Sequence, residues 1–385
     1  DEHQAALMAP TELLAEQHFA SISRMLEGSN VRLALLTGTL STQEREDVHA
    51  ALADGDIDIL VGTHALLTES VRFASLAVAV IDEQHRFGVH QRALLREKSG
   101  DAQSMPHTLV MTATPIPRTL ALTVFGDLDV SILTGRPPGR SPVTTRAVEA
   151  DRAGEVYEFI RSRLDAGEQA FIVVPAVDGD SGAGLRDVQT TVDDLLAGPL
   201  AGKSVAGIHG RLKRDTREHI MERFRSGLID VLVATTVIEV GVDVPNATVM
   251  VIEHADRFGL AQLHQLRGRV GRGDRPALCV CIMREPTDDG RARVDAVVQS
   301  SDGFKLAEKD LELRGPGELI GARQAGLAPF RLASFPRDMD LLLMARRDAT
   351  AWIDASPMLT SDDERLLKTR LLKAFGESLG LADIA

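Results

Sequence analysis

VAVIDEQHRFG, residues 78–88, is an apolar run that ends in two adjacent carboxylates, Asp82 and Glu83. The run is apolar throughout rather than alternating, which predicts a strand buried on both faces of a parallel sheet. In an open α/β sheet the ligand site lies at the carboxyl ends of the strands. Asp82 therefore falls where a nucleotide's Mg²⁺ is held, usually through water. Glu83, one residue on, falls where an attacking water is oriented or deprotonated. Two acids after a strand are equally an ordinary loop of solvated charge, so their company has to decide.

Outward from this stretch, similar runs recur at QAALMA (4–9), VRLALL (31–36), DILVG (58–62) and TLVMTA (108–113). Helix-like segments such as TELLAEQHFASISRML separate them, which is α/β alternation. GRPPGRSP (135–142) has three prolines and two glycines in eight residues and predicts a linker. The pattern then restarts at QAFIVVP (169–175), SVAGIH (204–209), DVLVATT (230–236), TVMVIE (248–253) and ALCVCIM (277–283). Two α/β domains of similar kind are expected, with a flexible loop at DGDSGAGLRD (178–187). From about residue 286 the strand runs stop and a helical tail begins. There Phe304, Ala307 and Leu311 fall at helical spacing behind Ser301 or Asp302 as the cap. A later stripe, Leu367, Leu371 and Phe375, predicts a helix packed on a core.

A chain of 385 residues fits two or three domains. The 44% apolar content fits sizeable cores, and no apolar run approaches the roughly 18 residues of a membrane span. The start, DEHQAALMAP, has no basic region followed by an apolar core, so no signal peptide is expected. Cys279 and Cys281 make neither a disulfide framework nor a four-ligand zinc site, which fits a reducing cytoplasm. A net charge of −13 does not favour nucleic acid, but local patches decide, and Arg267, Arg269, Arg272 and Arg275 form one.

Three further stretches carry chemistry. MTATPIPRTLA (111–121) follows the next strand, and its Thr112 and Thr114 hydroxyls are placed to hydrogen-bond back to the carboxylates. VLVATTVIEVGVDVPNA (231–247) leaves a strand into a loop bearing Thr, Gly and Asp. HQLRGRVGRG (264–273) sets Arg269 and Arg272 three apart, on one face if the segment is helical. Two such forks aimed at a γ-phosphate would stabilise transferred charge; the alternative is a solvated or nucleic-acid face.

One stretch imitates a phosphate loop. Gly202-Lys203-Ser204, in LAGPLAGKSV, is the only place where Gly-Lys precedes Ser or Thr. A phosphate loop needs glycines separated by four residues, after a strand and before a helix. Gly198 and Gly202 are separated by three, Pro199 removes an amide, and the order reads helix, turn, strand. Lys203 is expected to be a solvated turn lysine.

DEQH, TATP, TTVIEVGVDVP and QLRGRVGR, in this order over two α/β domains, resemble superfamily 2 helicases. IDEQHRFGVHQR with ATPIPRTLAL looks like the double-stranded-DNA translocase branch that contains the RecG family and the transcription-repair coupling factors. DLELRGPGELIGARQAG (310–326) is similar to the translocation motif of that branch, and DEQH is closer to the RecG family. The resemblance runs from residue 4 to about 350. It implies a RecA-like motor domain at 1–140, a second at 141–285, a translocation-motif helical region at 286–340 and C-terminal helices at 341–385. It implies ATP and Mg as cofactors, branched double-stranded DNA as partner in recombination and repair, single-strand-binding protein as a further candidate partner, a monomer and no membrane.

Residue roles follow from the matched motifs. Pro10 and Thr11, with Gly62 and Thr63, match DNA-backbone contacts of the first motor domain. Asp82 matches the Mg²⁺ residue and Glu83 the catalytic carboxylate, while His85 and Thr112 match the pair linking hydrolysis to DNA grip. His209, Gly210, Thr235 and Thr236 match DNA-facing elements of the second domain, and Gly241 and Asp243 its nucleotide-facing loop. Gln265, Arg269 and Arg272 match residues that reach nucleotide from the second domain, across a cleft. Glu312, Arg314 and Gln324 match the couplers of motor closure to DNA movement. The family's phosphate loop lies upstream of the stretch matching QAALMAPT. The first motor domain is therefore expected to be incomplete and the chain by itself deficient in ATPase. A non-catalytic DNA-binding chain is the competing class.

Overall fold

The computed structural model describes residues 3–68, 70–83, 106–112, 130–133, 142–175, 188–235, 244–314 and 338–382. The first sheet holds β1 (Gln4–Met8), β2 (Leu33–Leu36), β3 (Ile59–Gly62), β4 (Leu76–Ile81) and β5 (His107–Val110) in the order β2-β3-β1-β4-β5. Every pairing is parallel. Alternation along each strand sends Met8, Leu36, Leu60 and Ile81 into one core cluster, and Leu7, Leu35 and Val61 into another. Both faces are thereby covered, which is why these runs are apolar throughout. α1 (Glu12–Met25) starts where the Thr11 hydroxyl accepts the Leu14 N–H. α2 (Thr42–Ala53) starts on a reciprocal Ser41–Glu44 capping box.

The second sheet holds β6 (Val143–Glu149), β7 (Gln169–Val173), β8 (Val205–Ile208), β9 (Val231–Ala234), β10 (Ala247–Ile252) and β11 (Ala277–Met283). Their order is β6-β11-β10-β7-β9-β8, again with every pairing parallel. β7, β9 and β10 are buried at every residue. Around them run α3 (Ala153–Asp165), α4 (Val188–Ala197), α5 (Arg214–Arg225), α6 (Leu260–Arg267), α7 (Asp288–Gln299) and α8 (Gly303–Arg314). β6 is a strand that the sequence reading did not expect. VTTRAVE lies at the sheet edge, alternates half-buried with exposed residues, and lacks the continuous apolar signature of its neighbours.

The two sheets repeat one plan. Residues 37–64 and 209–236 align without a gap, matching Gly38 with Gly210, Leu40 with Leu212, Arg45 with Arg217 and Asp58 with Asp230. α2 and α5 have corresponding ends, as do β2 with β8 and β3 with β9. The fastenings repeat too. Gln4, buried at the start of β1, donates to Leu52 O and Ile57 O; Gln169, buried at the start of β7, donates to Phe224 O and Ile229 O. Asp58 accepts the Arg32 N–H and Asp230 the Ser204 N–H. Gly55 and Gly227 take φ of 78° and 76° in equivalent helix-to-strand turns, a conformation that favours glycine. The second sheet adds β6 beside β11, whereas β5 ends the first sheet among the described residues, with Leu109 54% exposed.

α9 (Met339–Ala355) and α10 (Arg365–Ala382) group with the first sheet, and α8 up to Leu313 with the second. The Asp302 carboxylate accepts the Phe304 N–H at the start of α8. Leu306 and Leu311 are that helix's buried residues, with Phe304 and Ala307 half-buried beside them. Leu367 and Leu371 are half-buried on α10. No helix among the described residues is long and apolar enough to cross a membrane. The loop expected at 178–187 lies outside the described residues.

Candidate functional site

In the first unit, backbone bonds gather three predicted segments at the carboxyl end of the sheet. Asp82 N donates to Met8 O, and Ala9 N donates to Gly62 O. Pro10 and Thr11 follow β1, Gly62 and Thr63 close β3, and Asp82 and Glu83 follow β4. A Cβ on Gly62 would lie 2.4 Å from Leu36 O, so the close approach of the two strands requires glycine there. Thr63 is buried and its hydroxyl accepts the Ala65 N–H, capping a 3-10 turn at His64–Leu67. Met111 N donates to Ile81 O, which sets Thr112 beside the start of the carboxylate loop. His85 and Thr114 lie outside the described residues.

Asp82 is fixed from two sides. Its Oδ1 accepts the Glu83 N–H at 2.9 Å, and its Oδ2 lies 2.9 Å from Nε2 of His18 on α1. Both side chains keep some exposure, 21% for Asp82 and 30% for His18. Glu83 takes φ 53°, which turns the chain sharply out of the strand. The sequence reading did not name His18. Its only signal is its position seven residues after Thr11, on the same side of one helix.

In the second unit, His209 and Gly210 follow β8, and Thr235 follows β9, at the carboxyl ends of their strands. Thr236, Gly241 and Asp243 lie outside the described residues. Gln265 is half-buried on α6. The arginine stretch departs from expectation in two ways. First, α6 ends at Arg267 with Gly268 as its C-cap, and Gly271 takes φ 74°. Arg269 and Arg272 are therefore half-buried residues of a turn and loop, not neighbours on one helix face. Second, Arg267 does not belong to a surface patch. It is 5% exposed and donates to Val297 O and Ser300 O at the end of α7, with His264 Nδ1 2.7 Å from its other terminal nitrogen. A guanidinium there satisfies carbonyls that the end of a helix leaves unpaired. Arg275 remains exposed, 3.5 Å from Asn246 Oδ1.

The second unit also holds a buried polar network. Glu253, 1% exposed, accepts from the Tyr157 hydroxyl and from Arg284 Nε at 2.9 Å. A buried carboxylate needs such partners.

Gly202-Lys203-Ser204 is confirmed as a turn between α4 and β8. Gly202 takes φ 82°, and the Ser204 N–H goes to Asp230. Lys203 is less solvated than expected, at 19% exposure, because its ammonium pairs with Asp165 Oδ1 at 2.6 Å. That pairing holds the Asp165 carboxyl below its ordinary range. On α8, exposed Glu312 pairs with Lys309 at 3.0 Å, and Arg314 is the last residue of the helix. Gln324 lies outside the described residues.

Two parallel sheets of one plan, with carboxylates after β4 of the first and an arginine loop after α6 of the second, define a RecA-like helicase motor. Family comparisons agree: residues 1–123 match the DEAD/DEAH box helicase model and residues 154–274 the helicase conserved C-terminal domain. Residues 300–382 match the C-terminal domain 3 of ATP-dependent DNA helicase RecG. A Synechocystis protein named ATP-dependent DNA helicase RecG is 46% identical over 381 residues, covering 98% of this chain and 45% of that protein. The RecG of Streptococcus pneumoniae is 47% identical over 349 residues, covering 90% of this chain and 51% of that protein. A solved structure of RecG bound to a three-way DNA junction is 43% identical, with a TM-score of 0.69 over 88% of this chain and 43% of that one. The chain belongs to the RecG family. It spans about half the length of the curated relatives it matches.

Proposed function

We propose that this chain is the motor portion of an ATP-dependent DNA helicase that acts on branched duplex DNA in recombination and repair. One observation carries the reading: a RecG solved on a three-way junction matches the chain over 88% of its length at 43% identity. In this reading the motor domains are residues 1–140 and 141–285, followed by the translocation region 286–340 and helices 341–385. Asp82 holds nucleotide-bound Mg²⁺ through water, and Glu83 orients the attacking water. Gln265, Arg269 and Arg272 face the transferred phosphate with Gly241 and Asp243. Pro10, Thr11, Gly62, Thr63, His209, Gly210, Thr235 and Thr236 lie along the DNA backbone. His85, Thr112, Glu312, Arg314 and Gln324 couple turnover to movement. Single-strand-binding protein is a further proposed partner, and a cytoplasmic monomer the proposed state.

Mg²⁺ suits this donor set. It is a hard ion taken up with one or two carboxylates plus substrate phosphates, and Asp82 offers partly exposed carboxylate oxygens at a strand end. Among the described residues no group of three or more His, Cys, Asp or Glu forms a cage of its own. Bound Mg²⁺ would neutralise charge developing on the phosphates.

The test uses the chain itself. It should bind a three-way junction more tightly than a linear duplex of equal length, with affinity falling steeply as salt rises. It should show no Mg²⁺-dependent ATP hydrolysis above background, because its one Gly-Lys-Ser is a turn. Equal affinity for linear and branched DNA would sink the branched-DNA reading. Robust hydrolysis abolished by Lys203→Ala would show that the turn is the phosphate loop after all.

A further inference from the structure

We propose that His18 is a positioning residue: it fixes the Asp82 carboxylate for a divalent cation and ties it to the helix that begins at the DNA-facing Thr11. The proposal rests on the reading of Asp82 as the Mg²⁺ residue. Asp82 lies on a loop just past β4, where a free carboxylate would rotate about two torsions. The Glu83 N–H holds Oδ1 and His18 Nε2 holds Oδ2, each at 2.9 Å. An ionised carboxylate accepts only, so Nε2 carries the proton and donates. Two oxygens offer about four lone-pair directions, of which these bonds take two. The remaining directions are left for waters around a cation, in a fixed orientation. The same arrangement, a second residue aiming a ligand through a hydrogen bond, sets affinity at protein metal sites generally.

The connection to α1 adds a second consequence. Thr11 caps the helix and His18 lies seven residues on, two turns along the same side. A helix moves as a rigid body over that distance, about 10 Å. Displacement of the Thr11 end by a DNA backbone is therefore delivered to Oδ2 of Asp82, without passing through the residues between β4 and β5.

Mn²⁺ alone, without nucleotide, serves as the probe, followed through the electron paramagnetic resonance signal of the free ion. Binding lost in Asp82→Asn defines this site. His18→Ala should weaken that binding about tenfold, while His18→Gln, which keeps an N–H donor, should stay within about twofold. In the wild-type chain the imidazole nitrogen NMR spectrum should show His18 with its proton on Nε2, a readout that needs no variant to fold. Unchanged Mn²⁺ affinity in His18→Ala, or a proton on Nδ1, overturns the positioning role while leaving the Mg²⁺ reading intact. Mn²⁺ binding that Asp82→Asn does not reduce overturns both.

Discussion

His254 shows how much a single residue can hold against its own preferences. It takes φ 50° and ψ 45° at the exit of β10, is 6% exposed, and neither ring nitrogen has a hydrogen-bond partner among the described residues. The left-handed conformation costs any side chain with a Cβ, and asparagine, which can hydrogen-bond locally to the backbone, visits it most readily. Burial, reinforced by the charge of Arg284, pushes its pKa below the ordinary 6.5. A histidine with a lowered folded pKa contributes stability above its unfolded value and loses it as pH falls through the folded one. His254→Asn should raise stability by about 1 kcal/mol at neutral pH and remove that pH dependence. Urea midpoints at pH 7.5 and 5.5 check both, and a lower midpoint at pH 7.5 would contradict the strain account. At this scale little was legible beforehand. HQLRGRVGR gives three arginines the same appearance, yet Arg267 turns inward to the end of α7 while Arg269 and Arg272 occupy a loop. Side-chain direction depends on where a helix stops, and Gly268 stops α6 earlier than the spacing of arginines suggests.

Among the elements, the turn before α10 is organised by one carboxylate. Glu364 accepts from Trp352 Nε1 at 2.7 Å, Ser356 Oγ at 2.8 Å and Ser361 N at 3.0 Å. The Ser361 hydroxyl foremost, then Trp352, Ser356 and the Ser361 N–H, lower its pKa from 4.5 to about 2. A depressed carboxyl stabilises the fold above its unfolded value and loses that contribution as pH falls from about 4.5 to about 2. Trp352 is the only tryptophan, so its emission should report loosening of α9 from the turn over this window. Glu364→Gln should show the loosened emission at neutral pH and flatten the acid transition; an unchanged profile would refute the assignment. Strands divide as sharply. β7, β9 and β10 are buried at every residue, whereas β5 has three exposed residues and one neighbour among the described strands. Their amides should exchange at least about tenfold more slowly than those of β5, since local opening follows burial and pairing. Equal protection in β5 and β10 would count against that ordering.

The whole molecule is one α/β plan used twice, and the division of labour is proposed to follow the repeat. In a full-length RecG carrying these motifs, Arg272→Ala should lower kcat for DNA-stimulated ATP hydrolysis by about a thousandfold, because a finger acts on the transition state. Arg314→Ala should keep most of the hydrolysis and lose junction unwinding. Equal loss of both activities in both variants would show that chemistry and movement are not separately held. The gapless match of 37–64 with 209–236 was present in the sequence all along. It becomes persuasive only when α2 and α5, Gln4 and Gln169, and Asp58 and Asp230 prove to do the same work.

The sequence by itself determined the class of fold and the carboxyl-end placement of Asp82 and Glu83. Buried parallel strands must be apolar on both faces, and that leaves a local mark in the order of residues. It also determined that Gly202-Lys203-Ser204 lies in a turn from helix to strand, since spacing and element order are local properties too. Tertiary structure alone decided what depends on contacts between distant segments. β6 has no continuous apolar mark, because an edge strand keeps water on part of its surface, and only its pairing with β11 reveals it. Lys203 meets Asp165, Arg267 meets Ser300, and His18 meets Asp82 across 64 residues. Nothing in a stretch of chain records which polar group folding will bring to its side.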